Sequence, residues 1–324
     1  MFIAIFFFTL ALIILAISYA TYRIGFYISD KEKLRLNPFS KINGEIGSSK
    51  DNSTPDIFPD FSEKINYILQ LPYESVRITS HDGLHLTGKY YHVQDGAPLQ
   101  IQMHGYHGSG ARDFCGGTKL ARNSGHNVLV IDERSHGDSN GNTITMGIKE
   151  RYDCLSWISY ANERFGTDTK ILLVGLSMGA ATVLMASELN LPENVVGIMA
   201  DCPYSSPKEI VKKVAKEMHF PPNLAYPFIR LGALIFGRFN IEESDAVSAV
   251  KNAKIPILLI HGEADSFVPC EMSHRIYEAC ASTKRLSTFP GAEHGMSYMS
   301  DITRYRQTIK DFLELCNIET TSNI

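Results

Sequence analysis

The stretch Ile171-Leu172-Leu173-Val174-Gly175-Leu176-Ser177-Met178-Gly179-Ala180-Ala181 decides the fold. An apolar strand ends on a glycine, a serine follows, and beyond a second glycine small residues run on as a helix to about residue 189. A sharp strand-to-helix turn leaves no room for side chains beside its tip, so glycine flanks the serine on both sides and the hydroxyl stands exposed above a sheet. Ser177 is therefore a candidate nucleophile. A serine hydroxyl is weak until a base takes its proton and a third group orients that base, so a histidine and an acid are needed further along.

Outward from this turn, the chain after Pro72 alternates short β-branched runs with longer amphipathic ones. Strands are predicted at 76–79, 84–91, 99–103, 128–131, 171–175, 195–200, 257–260 and 286–289. His81-Asp82-Gly83 makes the first two a hairpin, and helix-length spacers make the rest a mostly parallel, eight-stranded sheet flanked by helices, an α/β fold. Asp265 follows the seventh strand within His261-Gly262-Glu263-Ala264-Asp265, and His294 follows the eighth within Gly291-Ala292-Glu293-His294-Gly295. Ser177, His294 and Asp265 form the candidate catalytic set, with Glu263 and Asp201 as rivals for the acid.

Negative charge developing on an attacked carbonyl needs two backbone N–H donors. Met178, next to the nucleophile, supplies one. The other comes from His104-Gly105-Tyr106-His107-Gly108-Ser109-Gly110 after the third strand; Tyr106 is nominated, and His107 is the open alternative. His104 is expected to hydrogen-bond within this loop.

Between residues 201 and 255 a proline-punctuated insertion carries helical stretches at 208–218 and 228–236, which reads as a cap spanning about 203–250. Its apolar residues Phe220, Leu224, Tyr226, Phe228, Leu231, Leu234 and Phe236 are expected to pack on the body and to line part of an acyl pocket. Residues 1–22 carry no charge and span about 30 Å as a helix, enough for an uncleaved transmembrane anchor. Arg23, Lys31, Lys33 and Arg35 follow it and favour a cytoplasmic catalytic domain. Residues 23–60 read as a polar linker, and 61–324 as the catalytic domain, opening with a short helix at 61–71.

The composition of the 324 residues, 44% hydrophobic and 20% charged with net charge −4, is that of a globular protein. No basic stripe supports a nucleic-acid partner. Six scattered cysteines favour a reducing compartment and offer no structural zinc spacing. With no H-E-x-x-H and no G-x-G-x-x-G, no metal and no cofactor is expected.

Residues 72–316 resemble the α/β-hydrolase superfamily through five ordered motifs. These are His104-Gly105-Tyr106, Asp132-Glu133-Arg134-Ser135-His136-Gly137-Asp138-Ser139, the Ser177 turn, the Asp265 loop and the His294 loop. The chain looks especially like membrane-anchored bacterial esterase-like hydrolases with one N-terminal span and a small helical cap. Ser135 departs from the glycine usual in the second motif, where Asp132 and Arg134 are expected to pair and fix the turn. The resemblance implies ester or related acyl hydrolysis of a small molecule through an acyl-enzyme on Ser177. Peptidase or acyl-aminoacyl hydrolase, thioesterase or lipase, and a non-enzymatic membrane-tethered scaffold are the alternatives.

Overall fold

Side-chain alternation builds the sheet. In β5 (Ile171–Leu176), Ile171 and Leu173 enter one core while Leu172 enters another, and in β7 (Ile257–Gly262) Ile257 and Leu259 divide from Leu258 and Ile260 in the same way. The first core is completed by Trp157 and Ile158 of the helix Glu150–Phe165 and by Ala180, Val183 and Leu184 of the helix Met178–Ala186. The second is completed by Leu120 of the helix Cys115–Asn123 and by Phe312 and Leu313 of the helix Ile302–Leu315. Both faces of the sheet are covered, as parallel strands require.

The computed structural model describes residues 1–41 and 59–319. All eight predicted strands are present, with ends moved by at most two residues: β1 (Glu74–Thr79), β2 (His85–Tyr91), β3 (Leu99–Met103), β4 (Asn127–Asp132), β5, β6 (Val195–Asp201), β7 and β8 (Lys284–Phe289). Their order is β1-β2-β4-β3-β5-β6-β7-β8. β2 lies antiparallel to β1 and to β4, and the remaining pairs are parallel. Chain direction across the sheet reverses between β3 and β5, so the loops after these two strands part and leave a crevice at their carboxyl ends, where α/β sheets bind ligands. The 104–110 loop and the Ser177 turn flank that crevice.

The cap consists of the helices Pro207–Glu217 and Pro222–Ile235. The second begins six residues before the predicted stretch and runs through Pro227. Proline forfeits one backbone hydrogen bond there, and packing of this helix along the N-terminal helix Phe2–Gly25 compensates.

That packing also corrects the linker reading. Of residues 23–60, those at 42–58 lie outside the described residues, but Phe26 and Ile28 are fully buried and Phe39 nearly so. Ile28 N–H donates to Asn142 O at 3.0 Å and Ile144 N–H to Phe26 O at 2.7 Å, so the chain leaving the helix is bonded to the loop after β4. The short helix Asp30–Leu36 continues this docked segment. Phe26 and Ile28, set among polar residues, supply too little periodicity to announce it.

The turn at Ser177 depends on close backbone approach. A Cβ at Gly179 would collide with the Met103 carbonyl at the end of β3, and one at Gly175 with the Gly179 carbonyl. Gly179→Ala is expected to cost about 3 kcal/mol or more through overpacking against backbone that cannot yield; a thermal unfolding midpoint within 1 °C of wild type would contradict the contact.

Candidate active site

Ser177 sits between β5 and its helix with φ 54° and ψ −110°, a left-handed conformation costly for any residue with a Cβ. Its N–H donates to Asp201 O at 2.8 Å, tying the strained turn to β6. Ser177 Oγ lies 2.9 Å from His294 Nε2, and His294 Nδ1 lies 2.7 Å from Asp265 Oδ2. The three residues arise from the ends of β5, β8 and β7, and the structure brings them together as the sequence order requires.

Asp265 is held on every side. Its Oδ1 accepts the N–H groups of Phe267 at 3.0 Å and Val268 at 2.7 Å, which leaves Oδ2 for the imidazole. Burial opposes its ionisation, but hydrogen bonds from His261 and His294 outweigh burial and hold the carboxyl below the usual carboxylate range. His261 was not singled out in the sequence. Fully buried, it meets Ser273 Oγ at 2.6 Å through Nδ1, Val268 O at 2.8 Å through Nε2, and stands 3.3 Å from Asp265 Oδ2. Only its place at the end of β7, inside the quoted acid loop, could have signalled this.

The rival acids are elsewhere. Glu263 accepts from Thr288 Oγ1 at 2.7 Å on the exposed side of its loop. Asp201 is buried behind the site, where Oδ2 accepts from Tyr305 at 3.1 Å and Oδ1 has no partner among the described residues. Burial raises its carboxyl to about 6, against the opposing pull of His261, Tyr305 and His294. Cys202, next in sequence, brings Sγ to 4.0 Å from His294 Nε2, and burial raises its thiol.

In the loop after β3 the two candidate oxyanion donors differ in what engages their N–H groups. His107 donates its N–H to His136 Nε2 at 3.1 Å and is spent. Among the described residues no group accepts the Tyr106 N–H. Met178 is the first residue of its helix, whose leading N–H groups have no intrahelical acceptor. Gly105 N–H is taken by Asp113 Oδ2 at 2.8 Å, which anchors the loop. His104 bonds within it as expected, donating from Nδ1 to Gly105 O at 2.9 Å while Nε2 accepts from Glu133 N–H at 3.2 Å.

His104, Glu133 and His136 cluster closely enough to suggest a cation site. His136 Nδ1 meets Arg134 O at 3.0 Å, so both nitrogens of each ring are engaged by backbone and neither offers a free lone pair. The cluster positions the loop. Asp132 and Arg134 do not pair with each other, contrary to expectation. Asp132 takes Lys89 Nζ at 3.1 Å, and Arg134 forms two 2.6 Å bonds to Asp153 and reaches Asp82 at 2.9 Å, which pins the turn to the β1–β2 hairpin. Ser135 accommodates the missing glycine by adopting φ 68° itself, with Oγ donating to Thr143 O at 2.8 Å.

Above Ser177 opens a cavity of about 600 Å³ with an almost wholly carbon lining. Phe220, Leu224 and Phe228 of the cap reach it, whereas Tyr226, Leu231, Leu234 and Phe236 do not. Ile17, Ala20, Thr21, Ile24 and Gly25 of the N-terminal helix form another wall, which the sequence reading missed.

Sheet order, crevice and the strand-end placement of these residues define an α/β hydrolase. The model of the prolyl oligopeptidase family, Peptidase S9, matches residues 118–317, and the chain belongs to that family. The Bacillus subtilis protein YqkD is 28% identical over 197 residues, 60% of this chain and 65% of YqkD. A membrane protein of Saccharomyces cerevisiae is 25% identical over 195 residues, 59% of this chain and 62% of that protein. The chain thus matches less than two thirds of the length of either relative. An esterase of Pyrococcus furiosus shares the fold with a TM-score of 0.62 at 22% identity, over 81% of this chain and 95% of the esterase.

Asp201 makes stability depend on pH. Its folded value near 6 exceeds the ordinary 3.8, so the native state binds the proton more tightly than the unfolded chain. Stability from this group is full below about pH 4 and is lost as pH rises through 6, by roughly 3 kcal/mol. Asp201→Asn, free of that loss, is expected to raise the unfolding midpoint over wild type more at pH 7.5 than at pH 4.5. An equal difference at both pH values would show that the carboxyl does not titrate there.

Proposed function

We propose that the chain is a serine hydrolase that cleaves carboxylic esters and is anchored to a membrane by its N-terminal helix. The observation that carries this reading is the unbroken chain of hydrogen bonds from Ser177 through His294 to Asp265, opening on an apolar cavity. Ser177 Oγ attacks the acyl carbon as His294 Nε2 takes its proton. The tetrahedral oxygen is held by the N–H groups of Met178 and Tyr106, while Asp265 keeps the imidazole in the tautomer that accepts at Nε2 and stabilises the imidazolium. The ester C–O bond then breaks, and the alcohol leaves with the proton from His294. Water, activated by the same imidazole, attacks the acyl-enzyme and regenerates Ser177.

Peptide hydrolysis is the second reading, and the family assignment favours it. The cavity lining supports the ester reading, because it offers no charged side chain to a peptide terminus and few polar groups to a peptide backbone. The helix Phe2–Gly25, with mean hydropathy 2.6, is long and apolar enough to cross a bilayer, and the Saccharomyces relative is described as a membrane protein. Arg23, Lys31 and Arg35 stay exposed after the span, which supports a cytoplasmic catalytic domain.

The test is hydrolysis of p-nitrophenyl esters by the whole chain, since the N-terminal helix walls the cavity. Ser177→Ala is expected to abolish turnover. Asp265→Asn is expected to lower kcat by about 10⁴-fold, the cost of the wrong imidazole tautomer. Esterase activity that survives Ser177→Ala would sink the assignment, and near-normal kcat in Asp265→Asn would remove Asp265 from it.

A further inference from the structure

The wall contributed by the N-terminal helix is the feature that ester hydrolysis alone does not require. Ile17, Ala20, Thr21, Ile24 and Gly25 face the same cavity as Ser177, and on the other side stand Val214, Phe220, Leu224 and Phe228. This wall is fixed to the cap. Thr21 Oγ1 donates to Phe228 O at 3.1 Å, Tyr19 meets Phe236 edge-on with centroids 5.0 Å apart, and Gly232 lets the two helices touch at the Ser18 carbonyl, with which any Cβ would collide. Tyr106 OH donates to Gly25 O at 3.3 Å, which joins the helix end to the loop beside Ser177.

The rest of the helix is bare. Phe2, Phe6 and Phe8 are 84%, 63% and 67% exposed, and residues 2–16 extend about 22 Å at 1.5 Å per residue, most of a hydrocarbon core. Beside it the cap presents Met218, Phe220 and Leu224, all exposed. Cavity, cap rim and bare helix therefore make one continuous apolar surface, and a patch of this kind in water marks a site of contact with something equally apolar. If the bare turns lie in a bilayer, the cavity mouth lies at its surface.

From this we infer that the substrate is a long-chain acyl ester of a membrane amphiphile, whose chain slides from the leaflet into the cavity between the N-terminal helix and the cap. The inference rests on the ester hydrolase reading and assigns its substrate class. The acyl chain passes from hydrocarbon to a hydrocarbon-like lining, so no water must be stripped from it, and the head group stays at the mouth. Attack by Ser177 releases the head-group alcohol with the proton carried by His294, and water then releases the fatty acid. The spanning helix is a specificity-determining wall as well as an anchor.

The test uses the whole chain reconstituted in phosphatidylcholine vesicles and labelled at Ser177 by butyl and hexadecyl fluorophosphonates, which report access to the serine without ester turnover. Wild type is expected to react at least tenfold faster with the hexadecyl probe. Ala20→Trp, which fills the helix side of the cavity, is expected to lower that ratio at least tenfold, and Ile24→Trp serves as a second variant on the same wall. Ile13→Trp, on the bare part of the helix, keeps the wild-type ratio. Labelling by both probes at equal rates in wild type overturns the lipid assignment and leaves the serine hydrolase standing. The same holds if both tryptophan variants keep the wild-type ratio, or if they slow both probes alike. Failure of both probes to label Ser177 in the folded wild type overturns the hydrolase reading and this inference with it.

Discussion

Everything in the site depends on the collision that glycine avoids at position 179. The Met103 carbonyl at the end of β3 occupies the space a side chain would need, so β5 can turn into its helix directly against β3 only with that position bare. This contact sets Ser177 at the point where the sheet reverses direction, beside the loop that β3 feeds. Helix N-terminus, loop and nucleophile converge from one steric constraint. The strain at Ser177 is offset by its bond to Asp201 O and by the fully buried helix that follows, which has no freedom to relax the turn.

Behind the nucleophile, the arrangement of carboxyls determines where charge can reside. Asp265 is surrounded by donors and stays ionised, whereas Asp201, one strand away, has a single donor and is pushed up toward neutrality. Burial and the nearby Asp265 charge both disfavour ionisation of Asp201 and raise its carboxyl above the ordinary value. Of the two carboxyls, only Asp265 bonds His294, across 2.7 Å, so it is the one that stabilises a proton gained from Ser177 on the imidazole. His261 takes part by presenting its ring to both Val268 O and Asp265, which orders the loop that carries the acid.

What the sequence discloses follows the range of the interactions involved. The eight strands and the order of Ser177, Asp265 and His294 could be read because strand periodicity, glycine at a turn and residues at strand ends are local signals. That the His107 N–H is engaged could not be read, since its acceptor, His136, lies 29 positions away. Arg134 was assigned to its near neighbour Asp132, yet its partners are Asp82 and Asp153, reached only once the β1–β2 hairpin and the helix Glu150–Phe165 are in place. The docking of Phe26 and Ile28, and the helix that runs through Pro227, are decided by tertiary packing that overrides composition and propensity.

The same packing alters what an anchor can do. A helix joined by a flexible tether would fix the distance of an enzyme from a membrane and nothing else. Here Tyr22 near the end of the N-terminal helix and Phe26 and Ile28 just after it share one core with Met178, Met185 and Tyr204, so that end of the chain and the helix that begins at the nucleophile belong to one packed unit. Tyr106 bridges the helix end to the loop proposed to hold the oxyanion, and burial raises its phenol to about 12, leaving it a donor at any physiological pH. A change in tilt of the N-terminal helix would therefore displace the cavity wall and this loop together, because Tyr106 OH bonds directly to the helix end. Cavity width and the position of the 104–110 loop are both tied to this helix, and on the membrane reading the helix is oriented by the bilayer itself.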